Sequence, residues 1–172
     1  MPLTVRPAAP ADLPHLPALQ LAAGQVFHTV GMSAVADHPP PAAAEFAPHQ
    51  RLGLLWVAAD GDRLAGFVLA RPLGGCAHVE QLSVHPSYAG RRLGGRLIDR
   101  VAGWAAGRRM PALTLSTFRS VPWNAPYYLR LGFREVPPAG LTPALRELLG
   151  EEAAFGLDPA DRVCMRRPVH AA

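Results

Sequence analysis

The chain has 172 residues, of which 49% are hydrophobic and 17% are charged, so we expect one domain over residues 1–172 with an ordinary buried core. No apolar run approaches the roughly 18 to 20 residues that span a bilayer, and the N-terminal segment lacks the pattern of a secretion signal, so a cytoplasmic protein without membrane contact is expected. The formal charge is +4 and all 17 basic residues are arginines, a balance that suits an anionic ligand as well as nucleic acid.

The N-terminal part of the chain predicts one strand followed by helical segments. Apolar and polar residues alternate in "LTVRPA", which predicts a short strand, and apolar residues at helical spacing behind a proline predict a helix in "PADLPHLPALQLAAGQVF". The next stretch, "HTVGMSAVADHPPPAAAEFAPHQRL", crosses three consecutive prolines and ends in an alanine-rich segment. It predicts a loop and a helix that lie over another part of the fold.

A β-hairpin is predicted in the middle of the chain. Two runs rich in β-forming residues meet at Asp60-Gly61-Asp62, and an Asp-Gly pair between apolar runs is typical of a tight hairpin turn. The run "CAHVEQLSVHP" predicts another strand, which its proline ends.

A strand, helix and strand unit follows. The helix that begins in "GRRLGG" has Leu97, Ile98 and Val101 on its apolar face, and the next strand, "MPALTLSTF", is reached through this helix. Two strands joined in this way are typically parallel neighbours. The remaining pattern predicts a short helix in "VPWNAPYYLRLGF", a strand at "REV", a helix in "LTPALRELLGEE" and a final strand in "RVCMRRP".

A glycine-rich cationic turn lies where the strand gives way to the helix. Gly90, Gly94 and Gly95 surround Arg91 and Arg92. Backbone N–H groups at a helix entrance lack intrahelical partners, and the helix dipole adds positive charge there, so a phosphate group fits such a turn. From these residues alone, a glycine-rich turn with two solvated arginines is an equal interpretation.

Other ligand classes lack their motifs. A P-loop needs a lysine, which the chain does not contain, and no GxGxxG pattern follows the first strand. Cys76 and Cys164 are far apart and lack a CxxC or histidine pattern, so we expect no metal. The three tryptophans accompany no RNA-binding or helix-turn-helix pattern, so nucleic-acid binding is not expected.

Two motifs together resemble the GNAT superfamily of acyl-CoA-dependent N-acyltransferases. "LSVHPSYAGRRLGGRLI" is followed, after one helix and one strand, by "WNAPYYLRLGF", in the order and at the distance that the family shows. The resemblance covers the chain from about its first strand to beyond this "GF". Two positions depart from the family pattern, because Ala89 stands where the family has Gln or Arg, and Arg92 stands where it has its middle glycine.

The resemblance implies a mixed α/β fold. The expected architecture is a central, mostly antiparallel sheet that is splayed between its fourth and fifth strands, with helices on both faces. Exposed edge strands in such sheets often pair, so a homodimer is one arrangement that the resemblance allows.

The resemblance also implies acetyl-CoA as cosubstrate. The strand "QLSV" would offer backbone groups to the acyl carbonyl and the pantetheine arm, the arginine-rich turn would hold the pyrophosphate, and an asparagine would bind the arm. From the residues alone, this asparagine is as easily a turn or cap residue. The positions assigned to the cosubstrate are Leu82, Ser83, Val84, Gly90, Arg91, Arg92, Leu93, Gly94, Gly95, Asn124 and Tyr128.

Two residues are implied as catalytic, Tyr128 and Glu80. Tyr128 stands five residues before Phe133 of "GF", where the family has the tyrosine that protonates the departing thiolate as general acid. Glu80 is the first candidate for the general base and His78 the second. The residues alone equally allow a tyrosine with a satisfied hydroxyl and a salt-bridged or solvated glutamate or histidine.

The acceptor amine is expected to bind beside the loop after the first helix. Phe27, His28 and Met32 are the candidate contacts there, with Asp37 close in sequence and His78 on its strand. A loop without special chemistry is the alternative for each of them.

The sequence therefore predicts an N-acetyltransferase that moves an acetyl group from acetyl-CoA to an amine of a small molecule, peptide or protein, by direct attack in a ternary complex. The alternative is a GNAT-fold module that binds acyl-CoA or another ligand and regulates rather than catalyses. Ala89 and Arg92 favour that alternative, whereas Asn124 and Tyr128 favour the enzyme. The sequence does not identify the acceptor or the preferred acyl chain.

Overall fold

The computed structural model describes residues 3–169, which form seven strands and six α-helices. The strands are β1 (Thr4–Pro7), β2 (Leu55–Asp60), β3 (Arg63–Leu73), β4 (Cys76–Val84), β5 (Ala112–Phe118), β6 (Arg134–Glu135) and β7 (Arg162–Pro168). The α-helices are α1 (Leu16–Gly24), α2 (Ser33–Ala36), α3 (Ala47–Arg51), α4 (Leu93–Gly107), α5 (Ala125–Arg130) and α6 (Pro143–Phe155). Short 3-10 helices occupy Pro10–His15, Gln25–Val30, Ala43–Phe46, Pro86–Tyr88 and Pro138–Gly140.

The seven strands form one sheet in the order β1-β2-β3-β4-β5-β7-β6. The pairs β1 with β2, β2 with β3, β5 with β7 and β6 with β7 are antiparallel, and β4 pairs with β5 in parallel. The parallel register joins Ala77–Val79 to Leu113–Leu115, three residues of each strand. The predicted mixed α/β class with a mostly antiparallel sheet is confirmed.

Two compact units divide the chain. The first contains the described residues up to Ala70 together with Gln81–Arg100. Its apolar core includes Leu16, Val57 and Phe67, and the ring of Phe46 meets the ring of Phe67 edge-on with centroids 5.6 Å apart. The α-helical and 3-10 segments between β1 and β2 supply one wall of this core.

The second unit contains Arg71–Glu80 and the described residues from Val101 onward. Long pairing between β5 and β7, from Ala112 opposite Pro168 to Phe118 opposite Arg162, forms its centre. Leu113, Phe133 and Met165 are almost completely buried there. The sequence predicts that the two units form a single domain, and this stays a prediction.

Most predicted elements are found where the sequence placed them, and the alanine-rich segment differs. It forms the 3-10 helix Ala43–Phe46 and then α3, because Pro48 lacks the N–H that a continuous helix would use and lies instead in the first turn of α3. The hairpin turn is at Gly61 and Asp62, since Asp60 pairs with Arg63. Within residues 3–169, no helix is both long and apolar enough to cross a membrane.

Candidate active site

The turn before α4 has an unusual backbone. Gly90 and Arg92 both have positive φ angles, 76° and 58°, and Arg91 between them does not. Alternation of left-handed and right-handed residues turns successive N–H groups toward one concavity, a nest that binds anions. A non-glycine residue in this conformation costs about 1 to 2 kcal/mol. Arg92 keeps the left-handed backbone at the position where a glycine would adopt it without strain.

The two arginine side chains of this turn are exposed and have no carboxylate partner among residues 3–169. The guanidinium of Arg91 lies over the ring of Tyr88, 5.0 Å from its centroid, and the Tyr88 hydroxyl donates to Asp60 at 3.1 Å. The turn therefore presents uncompensated positive charge beside free backbone donors at the N-terminus of a 15-residue helix.

A close approach of two strands shapes the end of β4. A Cβ atom added to Gly66 of β3 would lie 2.7 Å from the carbonyl oxygen of Ser83, and 3.4 Å from both the Val84 Cα and the Leu97 side chain. Real Cβ atoms do not come so close to a backbone oxygen. Only a glycine fits at this position without a shift of the backbone.

The backbone direction at the end of β4 follows from the same contact. The Ser83 carbonyl lies against β3, and the His85 N–H donates to the Ala65 carbonyl of β3 at 2.8 Å. Backbone groups of consecutive residues in a strand point to opposite edges, so those of Leu82 and Val84 point away from β3. These two residues, rather than Ser83, can offer backbone donors and acceptors to a ligand.

Asn124 precedes α5 and carries a buried donor. Its Oδ1 accepts a hydrogen bond from the Thr117 hydroxyl at 2.8 Å, which fixes the amide, while its Nδ2 is buried and has no acceptor among residues 3–169. A buried donor without a partner costs about 1 to 3 kcal/mol. A ligand carbonyl at this point would satisfy it.

Tyr128 lies one helical turn after Asn124, and its N–H donates to the Asn124 carbonyl at 3.0 Å. Its ring meets those of Tyr127 and Phe133 edge-on, with centroids 5.6 Å apart in both cases. Burial, together with the neighbouring Tyr127, raises the pKa of the Tyr128 phenol above its ordinary value, and the nearby Arg162 guanidinium opposes this shift. No acceptor for its hydroxyl occurs among the described residues, so a protonated donor is available to a ligand.

His78 is a buried residue of β4, only 3% exposed. Its Nδ1 is 2.9 Å from the hydroxyl of Thr114, its partner in the β4 and β5 register. Burial and the positive charge of Arg71 lower the pKa of His78 to about 4, against an opposing effect of Glu152. The ring is therefore neutral at pH 7.

Glu80, two residues further along β4, is exposed and forms an ion pair with Arg71 of β3 through the guanidinium Nε. A salt-bridged role is one of the interpretations that the sequence allows for this residue, and the structure shows that ion pair. The Glu80 carboxylate also remains exposed, so a ligand can reach it.

The three candidate acceptor contacts after α1 lie in one segment. The Met32 N–H donates to the Phe27 carbonyl at 3.0 Å, which folds the segment back on itself. His28 lies between two polar partners, with its Nε2 2.8 Å from Asp37 and its Nδ1 3.2 Å from the Ser33 hydroxyl, and these groups are exposed. His78, the fourth candidate, belongs to the other unit.

A polar network in the second unit was not predicted from the sequence. Arg162 of β7 forms a bidentate pair with Glu152 of α6 at 2.9 and 3.0 Å, and its Nη2 also donates to the Ser116 hydroxyl of β5 at 2.9 Å. Its guanidinium carbon lies 4.6 Å from the centroid of the Phe118 ring. No local pattern marks this network, because Ser116 is 36 residues from Glu152 and meets it only in the folded protein.

Comparison with known proteins gives two kinds of match. A family model described as the acetyltransferase (GNAT) family matches residues 25–133, and so covers both the arginine-rich turn and the segment that contains Asn124 and Tyr128. Many solved structures also match the chain.

Three of these structures illustrate the shared fold. N-acetylglutamate synthase from Neisseria gonorrhoeae, complexed with coenzyme A and N-acetyl-glutamate, has a TM-score of 0.74 and 16% identity over 99% of this chain and 36% of its own. PaiA N-acetyltransferase from Thermoplasma acidophilum, in complex with coenzyme A, has a TM-score of 0.71 and 14% identity over 98% and 99%. The ribosomal-protein-S18-alanine N-acetyltransferase from Escherichia coli has a TM-score of 0.64 and 19% identity over 99% and 96%. This chain thus spans about a third of the synthase and nearly all of the other two.

Proposed function

Because the chain belongs to the GNAT acetyltransferase family, we propose that it is an enzyme that transfers an acetyl group from acetyl-CoA to an amine by direct attack in a ternary complex. The observation that carries the proposal is the turn before α4, where Gly90 and Arg92 adopt left-handed conformations and two arginines lack carboxylate partners. The acceptor is an amine of a small molecule, a peptide or a protein.

The turn fits the pyrophosphate of acetyl-CoA. Free backbone N–H groups at the start of α4, in Leu93, Gly94 and Gly95, would donate to phosphate oxygens, and the helix dipole favours their negative charge. Arg91 and Arg92 would add charge-assisted hydrogen bonds. The Ala89 side chain supplies no polar contact, and the two arginines that follow compensate for it.

The arm of acetyl-CoA carries amide groups that can pair with backbone groups of β4 and with the side chain of Asn124. Leu82 and Val84 offer backbone groups that point away from β3. The buried Asn124 Nδ2 has no acceptor among residues 3–169, so a carbonyl of the arm would remove the cost of leaving it unpaired. A purely structural role for Asn124 would not explain this unused donor.

Tyr128 acts as the general acid in the proposed reaction. The bond between the amine nitrogen and the acetyl carbon forms, the bond from that carbon to sulfur breaks, and the sulfur leaves as a thiolate. Burial raises the pKa of the Tyr128 phenol and so keeps it protonated, and its hydroxyl, which is unpaired among the described residues, can donate a hydrogen bond that stabilises the departing thiolate. When the sulfur takes that proton, Tyr128 regains one from solvent.

Glu80 is the base that we propose for the proton released by the attacking amine. Its carboxylate is exposed and can take the proton directly or through a water molecule, while Arg71 holds it in place. His78 is a weaker candidate, because its ring is 3% exposed and its Nδ1 is already bonded to Thr114.

Calorimetric titration of acetyl-CoA and of CoA into the protein, at low and at high salt, tests this function together with an assay for released thiol on an amine panel. We expect dissociation constants of about micromolar size that weaken as salt screens the arginines. Arg91→Gln should weaken binding, and Arg146→Gln, which removes an exposed guanidinium of α6, should not. No binding of either ligand would overturn the proposal, whereas binding without turnover of any amine would support the regulatory alternative.

A further inference from the structure

A guanidinium that is fixed on one edge and open on the other lies close to the proposed general acid. We propose that Arg162 binds a carboxylate of the acceptor, so that the enzyme acetylates amines that carry a carboxylate. This inference rests on the proposed function, since it names the class of the second substrate.

Arg162 is held in one orientation by three contacts. Its Nε and Nη2 form the bidentate pair with Glu152, and Nη2 uses its other hydrogen on the Ser116 hydroxyl. The Ser116 hydroxyl in turn donates to Glu152 at 2.8 Å, which closes the network on that edge. The Phe118 ring covers one face of the guanidinium. A side chain fixed in this way loses little further freedom when a ligand binds.

The opposite edge of the guanidinium has unused donors. Nη1 carries two hydrogens, and no acceptor for them occurs among residues 3–169. The Arg162 side chain nevertheless keeps about 10% of its surface exposed, so a small group can reach it. A carboxylate oxygen at Nη1 would complete the hydrogen bonding of the guanidinium.

The charge of the network favours a carboxylate over a phosphate. Glu152 already balances the charge of Arg162, and the Arg162 and Glu152 side chains are only 10% and 17% exposed. A dianionic phosphate would bring two negative charges close to the Glu152 carboxylate, whereas a carboxylate brings one. A single planar oxyanion is therefore the ligand that these groups fit best.

The network lies near the proposed chemistry within the second unit. Arg162 pairs with Phe118 at the end of the β5 and β7 ladder, and the adjacent Thr117 donates its hydroxyl hydrogen to Asn124, whose carbonyl accepts from the Tyr128 N–H. The charge of Arg162 also lowers the pKa of the Tyr128 phenol against the effect of burial. Glu152 likewise acts on the pKa of His78. A carboxylate bound at Arg162 would therefore hold the rest of the acceptor close to Tyr128.

Acetylation rates of L-amino acids and of their α-amides test this inference. An α-amide lowers the pKa of the neighbouring ammonium, so rates are compared at equal concentrations of neutral amine. We expect kcat/KM to be about tenfold or more higher for the acids. The preference should disappear in Arg162→Gln and persist in Arg166→Gln, which removes an exposed guanidinium from the same strand. Equal rates for acids and amides in the wild-type protein would overturn the inference.

Binding measurements keep the test independent of turnover. N-acetyl-L-amino acids and their amides are titrated into the CoA-saturated protein. The acids should bind about tenfold more tightly than the amides to the wild-type protein, and the variants should lack this preference. Arg162→Gln leaves Glu152 without its partner and could unfold the protein. The double variant, Arg162→Gln with Glu152→Gln, is therefore measured as well, because it removes both charges together. If the acids bind selectively but no amine is turned over, the proposed enzyme activity fails and the carboxylate site stands. If amines react without any preference for acids, the activity stands and the site fails.

Discussion

At the scale of single residues, the proposed chemistry depends on groups that lack partners within the described part of the protein. The position of the arginine-rich turn is predictable from its glycines, and so is the candidate acid Tyr128 from its motif. The left-handed backbone of Arg92 is not predictable, because an L-residue favours that conformation only when the surrounding fold imposes it. The unpaired Asn124 Nδ2 is equally invisible in sequence, since burial and hydrogen bonding depend on distant parts of the chain.

Replacing Tyr128 by Phe removes the proposed proton donor and keeps the ring contacts with Tyr127 and Phe133. We expect kcat to fall by about a hundredfold, with little change in the KM for acetyl-CoA, because the lost interaction acts mainly as the sulfur departs. Steady-state kinetics of this variant and of Tyr127→Phe, the matched control, measure the effect. A kcat that equals the wild-type value would remove Tyr128 from the mechanism.

At the scale of elements, the sequence predicts the strands and helices well and their irregularities poorly. The Asp-Gly hairpin and the unit of β4, α4 and β5 follow from local patterns, since turn residues and periodic apolar positions encode them. The register of β2 and β3 shifts between Ala58 and Ala59, which leaves Ala65 as an extra residue in β3. No local pattern predicts this bulge, which lies beside the close approach of Gly66 to Ser83 of β4.

Gly66 should tolerate no larger residue. In Gly66→Ala, the new Cβ would force the Ser83 carbonyl and the end of β4 to move, which costs about 1 to 3 kcal/mol. Since Val84 leads into the proposed phosphate turn, we also expect CoA affinity to fall about tenfold or more at a temperature where the variant is folded. Thermal unfolding and calorimetric titration measure the two effects.

Gly103→Ala is the control for this change. Gly103 is an exposed residue of α4, and a Cβ added there would have no neighbouring atom within 4 Å. The alanine should therefore stabilise the helix by up to about 1 kcal/mol and leave CoA affinity unchanged. An unchanged affinity in Gly66→Ala as well would show that the contact with Ser83 does not position the ligand.

At the scale of the whole molecule, two buried titratable groups make the protein sensitive to acid. His78 has a lowered pKa, and so has Asp12, whose carboxylate accepts from both Arg6 nitrogens at 2.7 and 3.0 Å. In both cases the unfolded chain binds a proton more readily than the folded protein does. The free energy of unfolding therefore falls as pH falls, over a different window for each group.

His78 should govern the window between about pH 6.5 and pH 4, because its pKa drops from the ordinary value of a histidine to about 4 on folding. The free energy of unfolding should fall by up to about 3 kcal/mol across it. His78→Asn keeps a partner for Thr114 and does not titrate, so this loss should vanish in urea titrations of that variant. His38→Gln, at an exposed position, should retain it. A wild-type profile that is flat over this window would contradict the buried neutral ring.

Asp12 should act at lower pH. Its pKa is lowered chiefly by the hydrogen bonds from Arg6, so its contribution is present above about pH 4 and is lost as pH falls through the folded-state value. Asp12→Asn should cost about 1 to 2 kcal/mol at pH 7, reduced because Arg6 is partly exposed, and the difference from wild type should shrink below about pH 4. Glu147→Gln, an exposed residue of α6, should show no such dependence. A difference that is constant with pH would exclude the ion pair as its source.

The α6 helix carries a capping group at each of its ends. Its first turn is capped by the Thr142 hydroxyl, which accepts from the Leu145 N–H, and its last turn ends at Gly156 in a left-handed conformation. Both ends are thus specified by residues of the segment itself, while Glu152 supplies its link to Arg162. If Arg162 holds the acceptor carboxylate as proposed, residues of α6 beside Glu152 are the place to vary in a search for new acceptor preferences, with the two caps, Glu152 and the buried Leu145 retained.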